Sequence, residues 1–161
     1  MSDSAFVFTG LTRSRPWREW GVTQQLWQRG LPVAEPMAAG LRRSGLFYRA
    51  ALLTRRIPDA HGLGALLKRG DSVDWTALAR TVAQFHAAGL DHVDLNLDNL
   101  LLSGSTWHLI DFDRCRFRQP AAAWRRSNCQ RLKRSLLKAG VFDQSAWSIF
   151  ERAYNASISA R

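Results

Sequence analysis

Three oxygen-bearing side chains in the middle of the chain have types and spacings that suit one kind of chemistry. Asp94 and Asn99 stand five residues apart, and Asp111 follows Asp94 by seventeen residues. A carboxylate such as Asp94 can orient or deprotonate an attacking hydroxyl group. An amide oxygen and a second carboxylate are hard ligands of the kind that Mg²⁺ prefers, with phosphate and water completing its shell. Together they predict magnesium-dependent phosphoryl transfer, which asks a protein mainly for positioning and charge neutralisation.

The residues between Asn99 and Asp111 must bring these two proposed metal ligands together. Residues 100–102 and 107–110 are mainly apolar runs, and residues 103–106 between them read Ser-Gly-Ser-Thr. Apolar runs on both sides of a glycine-containing turn are typical of a β-hairpin. A hairpin returns the chain to its starting point, so we expect Asp111 to lie beside Asn99. The simpler alternative is a polar loop followed by a buried strand and an acidic turn.

These residues resemble the catalytic machinery of protein kinases. There a histidine precedes an Asp and an Asn five residues apart, which matches His92, Asp94 and Asn99. Asp111 matches the metal-binding Asp of the D-F-G motif, although Asp113 replaces its glycine. The resemblance implies Asp94 as the catalytic base, and Asn99 and Asp111 as magnesium ligands. A histidine in this position is usually structural, and we assign His92 that role.

The resemblance becomes narrower when the surrounding sequence is included. The phrases H-V-D-L-N-L-D-N-L-L-L and W-H-L-I-D-F-D-R resemble the 3-deoxy-D-manno-octulosonic acid (Kdo) kinases of Gram-negative lipopolysaccharide synthesis. Four upstream phrases resemble the same family: F-V-F-T-G-L, G-L-P-V-A-E-P, S-G-L-F-Y-R-A and L-L-T-R-R-I-P. The resemblance covers nearly the whole chain. It implies transfer of the ATP γ-phosphate to a hydroxyl of Kdo on lipid A precursor, with ATP and Mg²⁺ as cofactors.

Two further residues take supporting roles by the same resemblance. Glu19 lies in the middle of the first predicted helix, where kinases use a glutamate to hold the phosphate-gripping basic residue of a strand. Helix surfaces also carry glutamate for solubility alone. Asn96 stands two residues after Asp94, where protein kinases often carry a phosphate-contacting lysine. Its amide can donate a hydrogen bond but cannot neutralise charge, so we expect it to support nucleotide binding only.

The residues before the first predicted helix do not supply the rest of a nucleotide grip. No glycine-rich loop precedes Ser14, and the lysines Lys68, Lys133 and Lys138 all follow Glu19. We therefore expect the glycine-rich loop and basic strand to be missing, through a gene-start error, truncation or true loss. We also expect the chain as given to bind ATP poorly and to transfer phosphate slowly or not at all.

Periodicity and capping residues predict the elements that position these groups. The predicted helices are residues 15–29, 74–88, 124–139 and 144–156, and the predicted strands before the hairpin are 36–41 and 46–55. Ser14 and Asp74 are the predicted N-caps of the first two helices.

With the kinase resemblance, this layout predicts one protein-kinase-like α+β domain over residues 1–161. Residues 1–55 would form a partial N-terminal lobe, 56–61 a hinge and 62–161 a mainly helical C-terminal lobe. At 46 % hydrophobic residues the chain can form a packed core. It has no apolar run of the ~18 residues that a transmembrane helix needs. Cys115 and Cys129 lack metal-ligand spacing and are predicted to be reduced thiols.

The chain carries a net charge of +10, and residues 114–138 contain nine basic residues and no acidic one. Such a run can be a solvated helix face, or it can bind an anionic membrane or nucleic acid. No nucleic-acid-binding motif accompanies it, so we expect no nucleic-acid partner. By resemblance the acceptor is Kdo-lipid A, which carries carboxylate and phosphate groups. We therefore expect peripheral attachment to the anionic cytoplasmic face of the inner membrane. The sequence leaves the acceptor hydroxyl and the oligomeric state open.

Two other functions fit the same residues. One is a small-molecule kinase of the aminoglycoside phosphotransferase type, which acceptor profiling would distinguish. The other is a non-catalytic, kinase-like basic binding module, which an ATP-binding measurement would distinguish.

Overall fold

The N-terminal part of the chain is a three-stranded antiparallel sheet with one helix packed on it. The computed structural model describes residues 6–7, 15–45 and 47–160. The elements of this part are β1 (Phe6–Val7), α1 (Arg15–Gln28), β2 (Pro36–Ser44) and β3 (Phe47–Thr54). β3 is the central strand, and α1 contacts both β2 and β3.

The rest of the chain is mainly helical. Its elements are β4 (His61–Gly62), α2 (Leu63–Arg69), α3 (Trp75–Ala87), β5 (Leu90–Asp91), a 3₁₀ turn (Leu97–Asn99), β6 (Leu100–Ser103), β7 (Thr106–Leu109), β8 (Arg116–Phe117), α4 (Ala122–Lys138) and α5 (Gln144–Ser159). β6 lies between β4 and β7, and β5 pairs with β8. β6 and β7 form the hairpin predicted before Asp111, with Gly104 at φ 57° in its turn. The described part of the chain is therefore α+β, as predicted.

The turn between β2 and β3 is shorter than predicted. β2 continues to Ser44, which pairs with Phe47, so Arg42 and Arg43 lie in the strand and not in the turn. Gly45 has φ 61°, and glycine adopts this left-handed conformation without the steric cost of a Cβ. A tight hairpin connection therefore replaces the longer predicted turn.

Two further local differences concern the segment after β3. His61 lies in β4 and pairs with Leu102, so the last residue of the predicted hinge belongs to a sheet. The prediction that the other residues of 56–61 form a hinge stays a prediction. The short helix α2 was not predicted, because its seven residues are too few for a clear period. The predicted cap Ser14 and the predicted strand residue Leu46 lie outside the described residues.

The core lies between α3, α5 and the hairpin. Leu78, Val82 and Phe85 of α3 are buried, and Asp74 caps this helix by accepting from the Ala77 N–H at 2.9 Å. On α5 the buried rings of Trp147 and Phe150 stack with centroids 4.8 Å apart. Burial of each such side chain stabilises the fold by roughly 1.5–3 kcal/mol. None of the described helices is long and apolar enough to cross a bilayer.

His86 packs in the core as a neutral ring, and the two cysteines form no disulfide. The His86 ring is buried on α3, and its Nδ1 lies 2.6 Å from the Tyr154 hydroxyl of α5. Burial lowers the pKa of His86 to about 3, so the ring is neutral at physiological pH. Cys115 and Cys129 are free thiols, as predicted.

A backbone connection joins the N-terminal part to the hairpin. The segment after α1 reaches β7, where the Leu109 N–H donates to the Pro32 carbonyl at 3.1 Å. Val33 forms a parallel bridge with Leu109 and is buried. These contacts place α1, which carries Glu19, close to the end of the hairpin and Asp111.

A buried polar network joins α4 to the segment that precedes Asp94. The Asp91 side chain is only 2 % exposed, and it accepts from Asn128 Nδ2 at 3.1 Å. Arg116 and Arg118 contact the same carboxylate at 3.3 and 3.1 Å. Asn128 Oδ1 also accepts from the His92 backbone N–H at 2.9 Å. One amide side chain therefore satisfies two buried groups on the loop.

We expect Asn128→Ala to lower the free energy of unfolding by about 3 kcal/mol, because it leaves a buried backbone N–H and a buried carboxylate short of a partner. Urea denaturation measures this change. Gln130→Ala, at an exposed position of the same helix, should change it by less than about 0.5 kcal/mol. Equal effects of the two substitutions would contradict the role assigned to Asn128.

Candidate active site

The loop that carries Asp94 is fixed by side-chain amides. Asn99 Nδ2 donates to the Asp94 carbonyl at 3.1 Å, and Asn96 Nδ2 donates to the same carbonyl at 3.0 Å. Asn96 Oδ1 accepts from the Asp98 N–H at 2.8 Å and so caps the 3₁₀ turn. Because the nitrogen of Asn99 faces Asp94, its Oδ1 is the atom left for a cation. The sequence spacing of five residues thus corresponds to a direct contact between Asp94 and Asn99.

The hairpin returns Asp111 to this loop. The Ile110 N–H donates to the Asn99 carbonyl at 3.1 Å, and the Ile110 carbonyl lies 3.1 Å from His92 Nε2. Since a carbonyl only accepts, Nε2 of His92 must carry the proton. Burial lowers the pKa of His92, which favours this neutral ring. His92 therefore has the structural role predicted for it, because it ties the start of the loop to the residue before Asp111.

Asp111 has an unusual backbone conformation. Its φ is 63°, in the left-handed region that costs a non-glycine residue on the order of 1 kcal/mol. The next residue, Phe112, is buried, and its ring lies 6.5 Å from the Phe85 ring and 5.7 Å from the His92 ring. Burial of Phe112 offsets the cost at Asp111, whose side chain stays exposed. The core thus directs the preceding carboxylate outward.

Glu19 faces Asp111 across a cavity of about 290 Å³. The cavity also contacts Leu52 and Thr54 of β3 and Phe112. Burial, the largest cause, and the nearby carboxylates of Asp111 and Asp113 together raise the pKa of Glu19 to about 7, against a hydrogen bond from the Phe112 backbone. The structure thus brings Glu19 to Asp111, as its proposed role in orienting a basic group near the phosphates requires.

These residues suit a magnesium–nucleotide complex better than a metal ion alone. Within residues 6–7, 15–45 and 47–160, no three His, Cys, Asp or Glu side chains come together as a metal cluster. Mg²⁺ at phosphoryl-transfer sites usually takes one or two protein oxygens and completes its shell with phosphates and water. Asn99 and Asp111 meet that requirement through an amide oxygen and an exposed carboxylate. Their metal-binding role, the base role of Asp94 and the supporting role of Asn96 stay predictions.

Sequence reasoning missed Arg131, which forms an ion pair with Asp94 through one terminal nitrogen. Arg131 belongs to a polar stripe of α4, defined here as Asn128, Arg131 and Ser135. Ser135 Oγ accepts from the Leu97 N–H at 3.1 Å. The three positions are spaced i, i+3 and i+7, which places them on one helical face. This period, beside a predicted catalytic loop, is the signal that could have indicated the contact.

The raised pKa of Glu19 predicts a pH-dependent stability. The folded state binds the Glu19 proton more tightly than the unfolded state, whose pKa is near 4.5, so stability from this group falls as pH rises through about 7. Glu19→Gln should therefore leave stability unchanged at pH 4 and raise it by ~1 kcal/mol at pH 8, after discounting for partial exposure. Urea denaturation at both pH values tests this. The exposed control Glu151→Gln should show no such difference, and a pH-independent effect of Glu19→Gln would contradict the assignment.

Proteins similar to this chain include several curated kinases. A "3-deoxy-D-manno-octulosonic acid kinase" of Stenotrophomonas maltophilia (strain R551-3) is 43 % identical over 141 residues, which cover 86 % of this chain and 56 % of the relative. A protein of the same description from Xanthomonas axonopodis pv. citri (strain 306) matches with the same identity and coverage. The chain thus spans little more than half the length of these relatives.

A solved structure supports the fold. The chain matches "WaaP in complex with acyl carrier protein" with a TM-score of 0.69 and 20 % sequence identity, over 88 % of this chain and 66 % of the other. This agrees with the predicted protein-kinase-like α+β fold. The model of the family described as "Lipopolysaccharide kinase (Kdo/WaaP) family" matches residues 1–154. The chain therefore belongs to the lipopolysaccharide kinase (Kdo/WaaP) family.

Proposed function

We propose that the protein transfers the γ-phosphate of ATP to a hydroxyl of Kdo on Kdo-lipid A, in synthesis of the lipopolysaccharide core. The observation that carries the proposal is the hydrogen-bonded connection from Asp94 through Asn99 and Ile110 to Asp111. Similarity to Kdo kinases at 43 % identity supports the choice of acceptor.

In this proposal each polar residue of the loop has one task. Asp94 accepts the proton of the acceptor hydroxyl, while that oxygen bonds to the γ-phosphorus and the phosphorus–oxygen bond to ADP breaks. Asn99 Oδ1 and the Asp111 carboxylate would hold Mg²⁺, which neutralises phosphate charge when bound. Glu19 would orient a basic group that contacts the phosphates, and Asn96 supports the loop that contains Asp94.

In a version of the chain extended by a glycine-rich loop and a basic strand, we expect Asp94→Asn to lower the rate of phosphate transfer to Kdo-lipid A by ~10²–10⁴-fold, because the base is lost. Asp111→Asn should chiefly raise the Mg²⁺ concentration needed for half-maximal rate. Transfer of labelled phosphate from ATP, with thermal melting as a check of folding, measures both.

The control is Asp71→Asn, since Asp71 forms an exposed ion pair with Arg69 at 2.7 Å, remote from the loop in sequence. It should leave the rate unchanged. A normal rate in Asp94→Asn would remove the assignment of the base. Transfer to aminoglycosides and not to Kdo-lipid A by the unsubstituted protein would contradict the acceptor.

We also propose that the protein attaches peripherally to the anionic cytoplasmic face of the inner membrane. Of the nine basic residues in 114–138, five also contact groups within the protein: Arg116, Arg118, Arg125, Arg131 and Lys133. The other four, Arg114, Arg126, Arg134 and Lys138, have exposed side chains. At ~1 kcal/mol for each basic residue near an anionic leaflet, these four support weak attachment.

Liposome co-sedimentation tests the attachment. We expect binding to anionic vesicles at low salt that decreases as salt rises, because exposed charges are screened over ~8 Å at physiological ionic strength. Arg126→Gln should weaken this binding. Equal binding to neutral and anionic vesicles would contradict the proposal and favour a solvated helix face.

A further inference from the structure

A cationic groove lies beside the catalytic loop and is lined by Asn96, Leu97 and Asp98 of that loop. Its volume is about 460 Å³, and it is open to solvent between the loop, α2 and the C-terminal half of α4. Four cationic side chains and one carboxylate contact it: Lys68, Arg131, Arg134, Lys138 and Asp98.

Helix geometry explains why the cations converge there. Arg131, Arg134 and Lys138 are spaced i, i+3 and i+7 on α4, so they share one face. Lys68 reaches the groove from the last turn of α2. Like charges this close repel, and one exposed carboxylate does not balance four cations. An anionic ligand would remove this repulsion.

Arg131 joins the groove to the proposed catalytic base. Its ion pair with Asp94 uses one terminal nitrogen, whereas a guanidinium has five N–H donors in a planar fork. Because Arg131 also lines the groove, the same guanidinium can contact an acidic ligand there. A sugar bound through an acidic group would then have its neighbouring hydroxyl groups close to Asp94.

We propose that this groove is the acceptor site and that Arg131, Arg134, Lys138 and Lys68 bind an acidic group of the acceptor sugar. The inference rests on the proposed function and adds the residues that recognise the acceptor. Arg131 is then a positioning residue, since it contacts both the acidic group and the base. The acidic group is a carboxylate of the sugar acid or a phosphate of the attached lipid, because both accept hydrogen bonds from cationic side chains.

Steady-state kinetics in neutral detergent micelles, which present no anionic surface, test the groove. Arg134→Gln and Lys138→Gln should each raise the KM for Kdo-lipid A about tenfold and leave the KM for ATP unchanged. Both residues are exposed, so folding should be preserved. Arg80→Gln removes the same charge from an exposed position of α3 and should change neither constant.

Modified acceptors identify the acidic group. If the carboxylate is bound, reducing it to an alcohol should raise the KM and make it insensitive to Arg134→Gln. If a phosphate is bound, dephosphorylated acceptor should behave in this way instead. An unchanged acceptor KM in Arg134→Gln and Lys138→Gln, with transfer intact, would overturn the groove as acceptor site.

A binding measurement separates this inference from the proposed activity. Saturation-transfer NMR on the 161-residue chain with free Kdo and with glucosamine phosphate, which carry the two candidate acidic groups, should show binding of at least one of them that Arg134→Gln weakens and Arg80→Gln does not. If that pattern appears and a longer chain with a glycine-rich loop and a basic strand transfers no phosphate, the groove assignment stands and the proposed reaction fails. If neither ligand binds, or if binding is equal in Arg134→Gln, the groove assignment is overturned.

Discussion

The structure around the loop depends on the neutralisation of one buried carboxylate. Asp91 lies at the start of the loop with a side chain only 2 % exposed, and an unpaired charge there would cost several kcal/mol. Burial acts to raise its pKa, but Asn128, Arg118 and Arg116 together bring the pKa below its usual value. These partners come from α4 and from the segment of β8. Asp91 therefore stays ionised only when α4 and the β8 segment both pack against the start of the loop.

The same helix, α4, serves both stability and chemistry. Its polar stripe contacts the loop three times, through Asn128 at His92, Arg131 at Asp94 and Ser135 at Leu97. The three contacts follow the same order along the loop and along α4. A small shift of the helix would therefore displace the whole loop. A substitution in this stripe can change both the rate and the stability, so both must be measured. Substitutions of the exposed groove residues Arg134 and Lys138 should change acceptor binding without changing stability.

The sequence was sufficient for features that depend on neighbouring residues. The hairpin and the helical periods of α3 and α5 arise from short segments, and each was predicted. Features formed by distant residues were missed. Arg131 lies 37 residues from Asp94, and the polar period of α4 does not by itself show which loop the helix packs against. The approach of Glu19 to Asp111 was inferable only from family resemblance, because α1 reaches the hairpin through the backbone contact at Leu109.

Two cavities of opposite charge, one lined by Asp111 and one by residues of the catalytic loop, suit the proposed reaction. Near α1, burial and the carboxylates of Asp111 and Asp113 raise the pKa of Glu19 to about 7, and this acidic cavity favours cations such as Mg²⁺ or a basic side chain. On the α4 side, four cations face the groove and favour an anionic acceptor. Asp94 is paired with Arg131 of the cationic groove. Metal-bound nucleotide and acidic acceptor would thus be attracted to different cavities, and Arg131 connects the acceptor groove to Asp94.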